Sequence, residues 1–153
     1  MPPLDEKRRF AMESGTPWRD TAWAMSEENV ELLYRSYDAV NRRDLDGLLA
    51  LMDDDVEAVS RIAAMEGGLH GHDGMRRWWE SWLGAFPDYK IEVDEVRDRG
   101  DFVFAALRAQ GHGAGSQLPF EDTLWHATRW RRGKCIWWRV CPTWDEALEA
   151  AGL

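Results

Sequence analysis

The apolar positions in the first half of the chain recur with a helical period. From Ser26 onward they are spaced by three and four residues, which predicts an amphipathic helix with Ser26 at its N-cap. A second short helix is predicted after Asp44, and a third ends before Pro87. The buried face of the first helix is Val30, Leu33, Tyr34, Tyr37 and Val40, and that of the third includes Met75, Trp78, Trp79 and Trp82.

The period changes to two in the second half. Tyr89, Ile91 and Val93 alternate with charged residues, and further strands are predicted over 102–112, 118–130 and 135–141, with a short earlier strand over 56–61. Thr143 followed by Glu146 forms a capping box for a terminal helix. Helices gathered on one face of a curved antiparallel sheet predict an α+β fold.

The chain is predicted to be one domain with an extension. Residues 1–24 mix prolines and charges without periodicity, which predicts a flexible N-terminal extension before a domain over 25–153. A total of 153 residues suits a single hydrophobic core.

The net charge and the cysteine content limit the binding partners and the cellular compartment that we expect for this protein. A formal net charge of −9 repels phosphate backbones and anionic lipids, so we expect no nucleic-acid or membrane partner. The two cysteines, Cys135 and Cys141, fall on one predicted strand about 20 Å apart, beyond disulfide reach. With no apolar run of transmembrane length and no signal-like start, a reduced, cytoplasmic protein is expected.

Three segments carry a family resemblance: NRRDLDGLLALMDDDVE, the GHDGMRRWW opening of the third helix, and the RWRRGK turn. With them the chain resembles the NTF2-like superfamily in its SnoaL-like branch, which includes ketosteroid isomerases and polyketide cyclases. The resemblance implies a cone-shaped sheet whose concave face is covered by the three helices of the N-terminal half. It also implies a deep hydrophobic pocket, no cofactor, and a homodimer formed through the β-sheet.

The catalytic residues of known members are absent. Compared with ketosteroid isomerases, Ser36, Ser60 and His126 stand where the oxyanion tyrosine, the proton-abstracting aspartate and its partner aspartate are expected. The Arg-x-Asp pair of limonene-epoxide hydrolases is replaced by Arg108 and Gln110. Isomerisation or epoxide opening by those routes is therefore not expected.

His126 is the candidate general base, because strand alternation groups it with Leu124, Thr128 and Trp130, the set expected to face the helices. A core histidine bonded to a neighbouring side chain is the alternative. The predicted ligand-binding residues are Tyr37, Ser60, Trp79, Trp82 and Trp138, with Ser60 and His126 as polar anchors. A cavity able to serve this purpose needs at least about 150 Å³.

Three other polar groups have two interpretations each. Arg108, Gln110 and His112 share one face of a strand, and the outer face is favoured. Glu57, Arg61 and Glu66 form a pocket rim or pair with one another. The run from His70 to Asp73 resembles a metal site, but loop and helix-cap roles are favoured and no metal is expected.

Three functions remain open at this point. The first is a pocket protein that binds a small apolar, ring-containing molecule. The second is a cofactor-independent cyclase, isomerase or dehydratase that uses His126 as general base. The third is a non-catalytic homodimerisation module in which outward residues such as Trp137 take part.

Overall fold

The computed structural model describes residues 20–60 and 68–153, with side chains from residue 26 onward in the first range. The predicted extension over 1–24 lies mostly outside this part of the chain. The first helix begins at Asp20, so residues 20–24 of the predicted extension belong to that helix. Ser26 therefore lies inside the helix and the N-cap prediction is wrong; its hydroxyl lies 3.5 Å from the carbonyl oxygen of Gly100.

Four helices and six strands form within the described residues. The helices are α1 (Asp20–Asn41), α2 (Leu45–Ala50), α3 (Gly71–Trp78), which continues as a π-helical turn over Trp79–Leu83, and α4 (Trp144–Ala150). The strands are β1 (Met52–Val59), β2 (Leu69–His70), β3 (Lys90–Arg99), β4 (Phe102–His112), β5 (Pro119–Arg131) and β6 (Lys134–Cys141).

The strands form one curved, open sheet in the order β2-β1-β6-β5-β4-β3. The last four strands of the chain are joined as an antiparallel meander, as the alternating pattern predicted. The β1–β6 pair is parallel, with Ala58 opposite Trp138. The sheet is thus antiparallel except at the β1–β6 pair, which joins the first and the last of the described strands in sequence.

Apolar residues are buried on both faces of the sheet. The larger cluster joins α1, α2 and α3 to one face and includes Leu33, Tyr37 and Val56. On the other face, α4 packs over a smaller cluster that includes Phe104 and Cys141. The α+β fold with three helices of the N-terminal half over one face is confirmed.

The terminal helix begins as predicted. The Thr143 hydroxyl accepts a hydrogen bond of 3.2 Å from the backbone N–H of Glu146, which satisfies a donor that the first turn leaves unpaired. α4 is thereby held over the face opposite α1 to α3. None of the helices in the described ranges is both long and apolar enough to span a bilayer.

Candidate functional site

A cavity lies between the helices and the concave face of the sheet. Its volume is about 80 Å³, and its walls are mostly aliphatic and aromatic. Helices contribute Leu33, Tyr37, Val40, Met75, Trp78 and Trp82, and strands contribute Ile91, Leu107, Phe120, Asp122, Leu124, His126, Thr128, Trp130 and Trp138. Ser36 and Ser60 add two buried hydroxyls to the lining.

The interior is more completely filled than the sequence led us to expect. The expected volume was at least about 150 Å³, and the cavity has about half of that. An apolar cavity of about 150 Å³ holds a benzene ring. A six-membered ring therefore enters this site only if lining side chains move.

One wall of the cavity is the inner face of β5. Every second residue from Phe120 to Trp130 lines the cavity, including His126, Leu124 and Thr128. This is the alternation of a strand with one buried face. The predicted placement of His126 on the side facing the helices is confirmed.

Tyr37 of α1 and His126 of β5 form a hydrogen-bonded pair inside the cavity. The tyrosine hydroxyl lies 2.7 Å from Nδ1 of His126, and the ring centres are 5.7 Å apart. Burial lowers the pKa of His126 from 6.5 to about 3, because the charged imidazolium would lose its hydration. Burial likewise raises the pKa of Tyr37 well above 10, so both partners are neutral near pH 7.

The neutral state restricts what His126 can do. When the Tyr37 hydroxyl donates to Nδ1, the proton of the imidazole is on Nε2. Within the described ranges Nε2 has no hydrogen-bond partner. A neutral imidazole with a low pKa is a weak base and a good hydrogen-bond donor.

Trp138 completes this end of the cavity. Its ring lies 5.3 Å from that of His126 and 6.0 Å from that of Trp78. Its indole N–H donates to the sulfur of Met75 at 3.3 Å, so its polar atom is satisfied within the apolar wall. The deep end is thus a neutral Tyr–His pair enclosed by indole rings.

The opposite end is a cluster of four aromatic side chains, Trp82, Phe86, Tyr89 and Phe120. The Trp82 ring lies 5.7 Å from both Tyr89 and Phe120 and is nearly perpendicular to each. Trp82, Phe86 and Phe120 are half-buried, which places this end near the surface. The buried indole N–H of Trp82 has no hydrogen-bond partner in the described part of the chain.

The structure brings four of the five predicted ligand-binding residues to the cavity: Tyr37, Ser60, Trp82 and Trp138. Trp79 packs against the main core but does not line the cavity, whereas Trp78 does. Met75, Trp78 and Trp82 follow one another at spacings of three and four, so the cavity-lining stripe keeps the helical period, and Trp79 lies beside it.

Sequence reasoning missed Phe120 and Asp122. Both lie on β5 on the same face as His126, at even spacings from it. The alternation that placed Leu124 on the inner face of the strand therefore also predicts that Phe120 and Asp122 lie on that face. Asp122 escaped notice because a carboxylate is not expected on an apolar wall.

The polar residues of β4 lie on the outer face, the favoured alternative. Arg108, Gln110 and His112 are exposed. Arg108 forms ion pairs with Glu92 and Asp94, and the carboxylate of Asp88 accepts hydrogen bonds from the backbone N–H and Nδ1 of His112. These groups cannot contact a molecule held in the cavity.

The remaining candidates lie around β1 and β2. Glu57 pairs with His70, and Nε2 of His72 lies 2.9 Å from the carbonyl oxygen of Met52. Arg61 and Glu66 are outside the described residues. Within 20–60 and 68–153 no three His, Cys, Asp or Glu side chains come together as metal ligands would.

The two cysteines are buried free thiols on β6. Cys135 lines the cavity, and Cys141 lies on the opposite face under α4. Burial raises the pKa of Cys135 to about 12. The thiol is therefore protonated and unreactive near neutral pH.

The sequence matches the SnoaL-like domain family over residues 33–143. The chain belongs to this family. No curated protein matches the sequence. Membership agrees with the resemblance seen in the three sequence segments, all of which lie within the matched range.

Solved structures share the fold at low identity. An NTF2-like protein of unknown function from Burkholderia pseudomallei is 20% identical, with a TM-score of 0.68 over 80% of this chain and 95% of its own. TerC co-crystallised with polyporic acid is 21% identical, with a TM-score of 0.67 over 80% and 98%. Rv0760c from Mycobacterium tuberculosis, in complex with estradiol-17β-hemisuccinate, is 19% identical, with a TM-score of 0.67 over 77% and 95%.

Proposed function

We propose that this SnoaL-like protein binds a small, mainly apolar molecule in the cavity. The observation that carries the proposal is the neutral Tyr37–His126 pair enclosed by apolar and aromatic side chains, since a few polar groups in an apolar cavity are typical of ligand sites. Ser60, directly after β1, is the second polar anchor in the lining. TerC and Rv0760c share the fold and were solved with small organic ligands, which supports the proposal.

The cavity is too small for a ring-containing ligand unless side chains of its lining move. A ring needs more than the about 80 Å³ present. Trp82 and Phe120 are half-buried at the end near the surface, and Met75 is a flexible lining side chain. We propose that these three side chains move to admit the ligand, which adds a cost to binding and keeps affinity for simple rings modest.

The binding proposal is tested by titrating the protein with cyclohexanol and measuring tryptophan fluorescence and heat. Saturable quenching is expected for the wild type, because Trp78, Trp82 and Trp138 line the cavity. Leu124→Trp fills the cavity and should abolish the response. Leu148→Trp places the same ring on α4 at the opposite face and should leave it intact. A wild type without a saturable response, or a Leu124→Trp variant that responds like it, refutes the proposal.

The enzymatic alternative uses His126 as general base in a cyclase, isomerase or dehydratase reaction. The pKa of about 3 disfavours it, because an imidazole with so low a pKa holds an abstracted proton weakly near pH 7. The low pKa favours a role in which Nε2–H donates to a ligand oxygen. Exchange of the α-hydrogens of cyclohexanone for deuterium tests the enzymatic alternative. An exchange rate that His126→Ala leaves unchanged refutes it, and a rate that falls in this variant supports a catalytic role for His126.

The homodimer through the sheet stays a prediction. The outer face that would form it is described for one chain only, where Trp137 packs against Phe102 at its edge. Sedimentation at micromolar concentration decides between monomer and dimer, and a monomer contradicts the homodimerisation module.

A further inference from the structure

The direction of the hydrogen bond between Tyr37 and His126 decides which atom the imidazole presents to the cavity. If Nδ1 donated, the tyrosine oxygen would accept, and its own O–H would need another acceptor. Among the described residues the Tyr37 hydroxyl has no hydrogen-bond partner besides Nδ1, at 2.7 Å. Tyr37 is buried, so an unpaired O–H there would destabilise the fold. The tyrosine therefore donates to Nδ1, and the imidazole proton is on Nε2.

Other hydrogen-bond donors of the lining already have acceptors inside the protein. The Thr128 hydroxyl, two residues from His126 on the same face of β5, donates to the carbonyl oxygen of Val103 at 2.7 Å. Its lone pairs accept from another side chain of the strand, the indole N–H of Trp130, at 2.8 Å. The remaining donors with an acceptor inside the protein are the Ser36 hydroxyl, the indole N–H of Trp138 and the Cys135 thiol.

Nε2 of His126 is a donor that a ligand in the cavity can reach. It has no hydrogen-bond partner within residues 20–60 and 68–153. The imidazole is half-buried, and because it lies on the helix-covered face of an inner strand, its exposed area faces the cavity. An acceptor atom on the ligand would therefore complete the hydrogen bonding of the Tyr37–His126 pair.

The surroundings of Nε2 favour an acceptor without a charge. The rings of Trp138 and Tyr37 lie 5.3 Å and 5.7 Å from that of His126, and no lysine or arginine is among the described residues that line the cavity. A carboxylate at this position would lose its hydration with no positive side chain among them to replace it. A carbonyl oxygen also accepts hydrogen bonds and loses far less hydration. The neutral donor thus matches a neutral carbonyl group.

From this geometry we infer that the ligand carries an uncharged carbonyl group whose oxygen accepts a hydrogen bond from Nε2–H of His126. Tyr37 is the positioning residue, since its hydroxyl holds the imidazole in the tautomer that donates into the cavity. This inference rests on the proposed function and names its ligand class. The apolar body of the ligand then extends toward Trp82 and Phe120, at the end near the surface.

Burial of the ring alone is the main competing explanation for any affinity toward a cyclic ketone. Cyclohexanone and methylenecyclohexane are the paired probes, because they share a ring and an exocyclic double bond and differ in an oxygen or a CH₂ group. The hydrocarbon leaves water more readily, so neither affinity by itself measures the hydrogen bond. The informative quantity is the ketone-to-hydrocarbon affinity ratio, compared between protein variants.

Calorimetry and tryptophan quenching measure this ratio in the wild type and in two variants. His126→Phe keeps a ring at the cavity wall and removes the donor, so the ratio should fall at least about 3-fold. His112→Phe makes the same change on the outer face of β4 and should leave the ratio within about 1.5-fold. Binding of methylenecyclohexane to His126→Phe shows that this variant is folded.

Nitrogen NMR of the imidazole tests the tautomer without relying on affinity. In the wild type Nε2 of His126 should be protonated and Nδ1 should not, and cyclohexanone should move the Nε2 proton downfield whereas methylenecyclohexane should not. Tyr37→Phe should introduce molecules with the proton on Nδ1 and lower the affinity ratio. Tyr34→Phe, on the same helix but not in the lining, should change neither.

The outcomes separate the two proposals. If neither probe binds the wild type, both proposals fail. If both probes bind but His126→Phe keeps the ratio, or if the wild-type proton is on Nδ1, the carbonyl site is refuted while cavity binding stands. If His126→Phe binds neither probe, the wild-type spectrum decides, because an Nε2 proton that cyclohexanone does not move also refutes the site. An unchanged tautomer in Tyr37→Phe contradicts the positioning role of Tyr37.

Discussion

The hydroxyl of Tyr37 and Nδ1 of His126 are 2.7 Å apart although 89 positions separate them in the chain. This bond connects α1 to β5 across the cavity. Both groups are neutral near pH 7, and Tyr37 is buried while His126 is half-buried, so the bond belongs both to the packing of the core and to the wall of the cavity.

Replacing Tyr37 by Phe should lower the free energy of unfolding by about 1–3 kcal/mol, because Nδ1 of His126 is left buried without a donor. Tyr34→Phe is the matched control on the same helix. The Tyr34 hydroxyl is buried with no hydrogen-bond partner among the described residues, so its loss should be neutral or stabilising. Urea unfolding of both variants measures the difference. Equal effects would contradict a stabilising Tyr37–His126 bond.

Stability should decrease in mild acid because of His126. The unfolded histidine takes up a proton near pH 6.5, whereas the folded one does so only near pH 3. Between these values the unfolded state binds more protons, so the free energy of unfolding falls as pH falls, by up to about 1.4 kcal/mol per unit. Above about pH 6.5 this contribution is constant.

Urea titrations between pH 7 and pH 4 measure this slope. His126→Gln should flatten it relative to the wild type, whatever its effect on stability at pH 7. His112→Gln, at an exposed site on the outer face, should leave the part due to His126 in place. A wild-type slope that His126→Gln does not change shows that the imidazole is not buried as described.

Trp82→Leu should enlarge the cavity at the end near the surface. We expect the free energy of unfolding to fall by about 1–4 kcal/mol, as large-to-small core changes do, partly offset by loss of an unpaired buried N–H. Cyclohexanol should bind at least about 3-fold more tightly, because less displacement is needed. Trp79→Leu is the control, since Trp79 packs against the core without lining the cavity. An equal gain in affinity for Trp79→Leu would argue against Trp82 as the obstructing side chain.

Much of the site follows from strand alternation. The residues on the inner face of β5 could be predicted from the sequence, because a period of two assigns every residue of a strand to a face once the face of one residue is known. The helical period placed Tyr37 on the buried face of α1 in the same way. Both members of the central hydrogen bond were thus named as site residues, but their contact was not, since it depends on how α1 lies over the sheet.

The errors concern choices that a local period leaves open. The helical period placed both Trp78 and Trp79 on the buried face of the third helix, and only the packing against the sheet decides that Trp78 lines the cavity. The start of α1 at Asp20 was missed because Ser26 is a residue type favoured at N-caps and directly precedes the apolar pattern, whereas in the structure it lies inside the helix. The small cavity volume depends on how the aromatic rings of α3 meet Phe120, a relation between side chains far apart in the chain.

The parallel pairing of β1 with β6 has a consequence for the order of assembly. β6 is the last strand in sequence among the described residues, and it supplies Trp138 beside His126. Without β6, β1 pairs with β2 alone, and nothing joins these two strands to β5 in the sheet. Closing this contact joins distant segments and carries the entropy cost of a long loop. The wall of the cavity that Trp138 supplies therefore forms only when β6 joins β1 to β5.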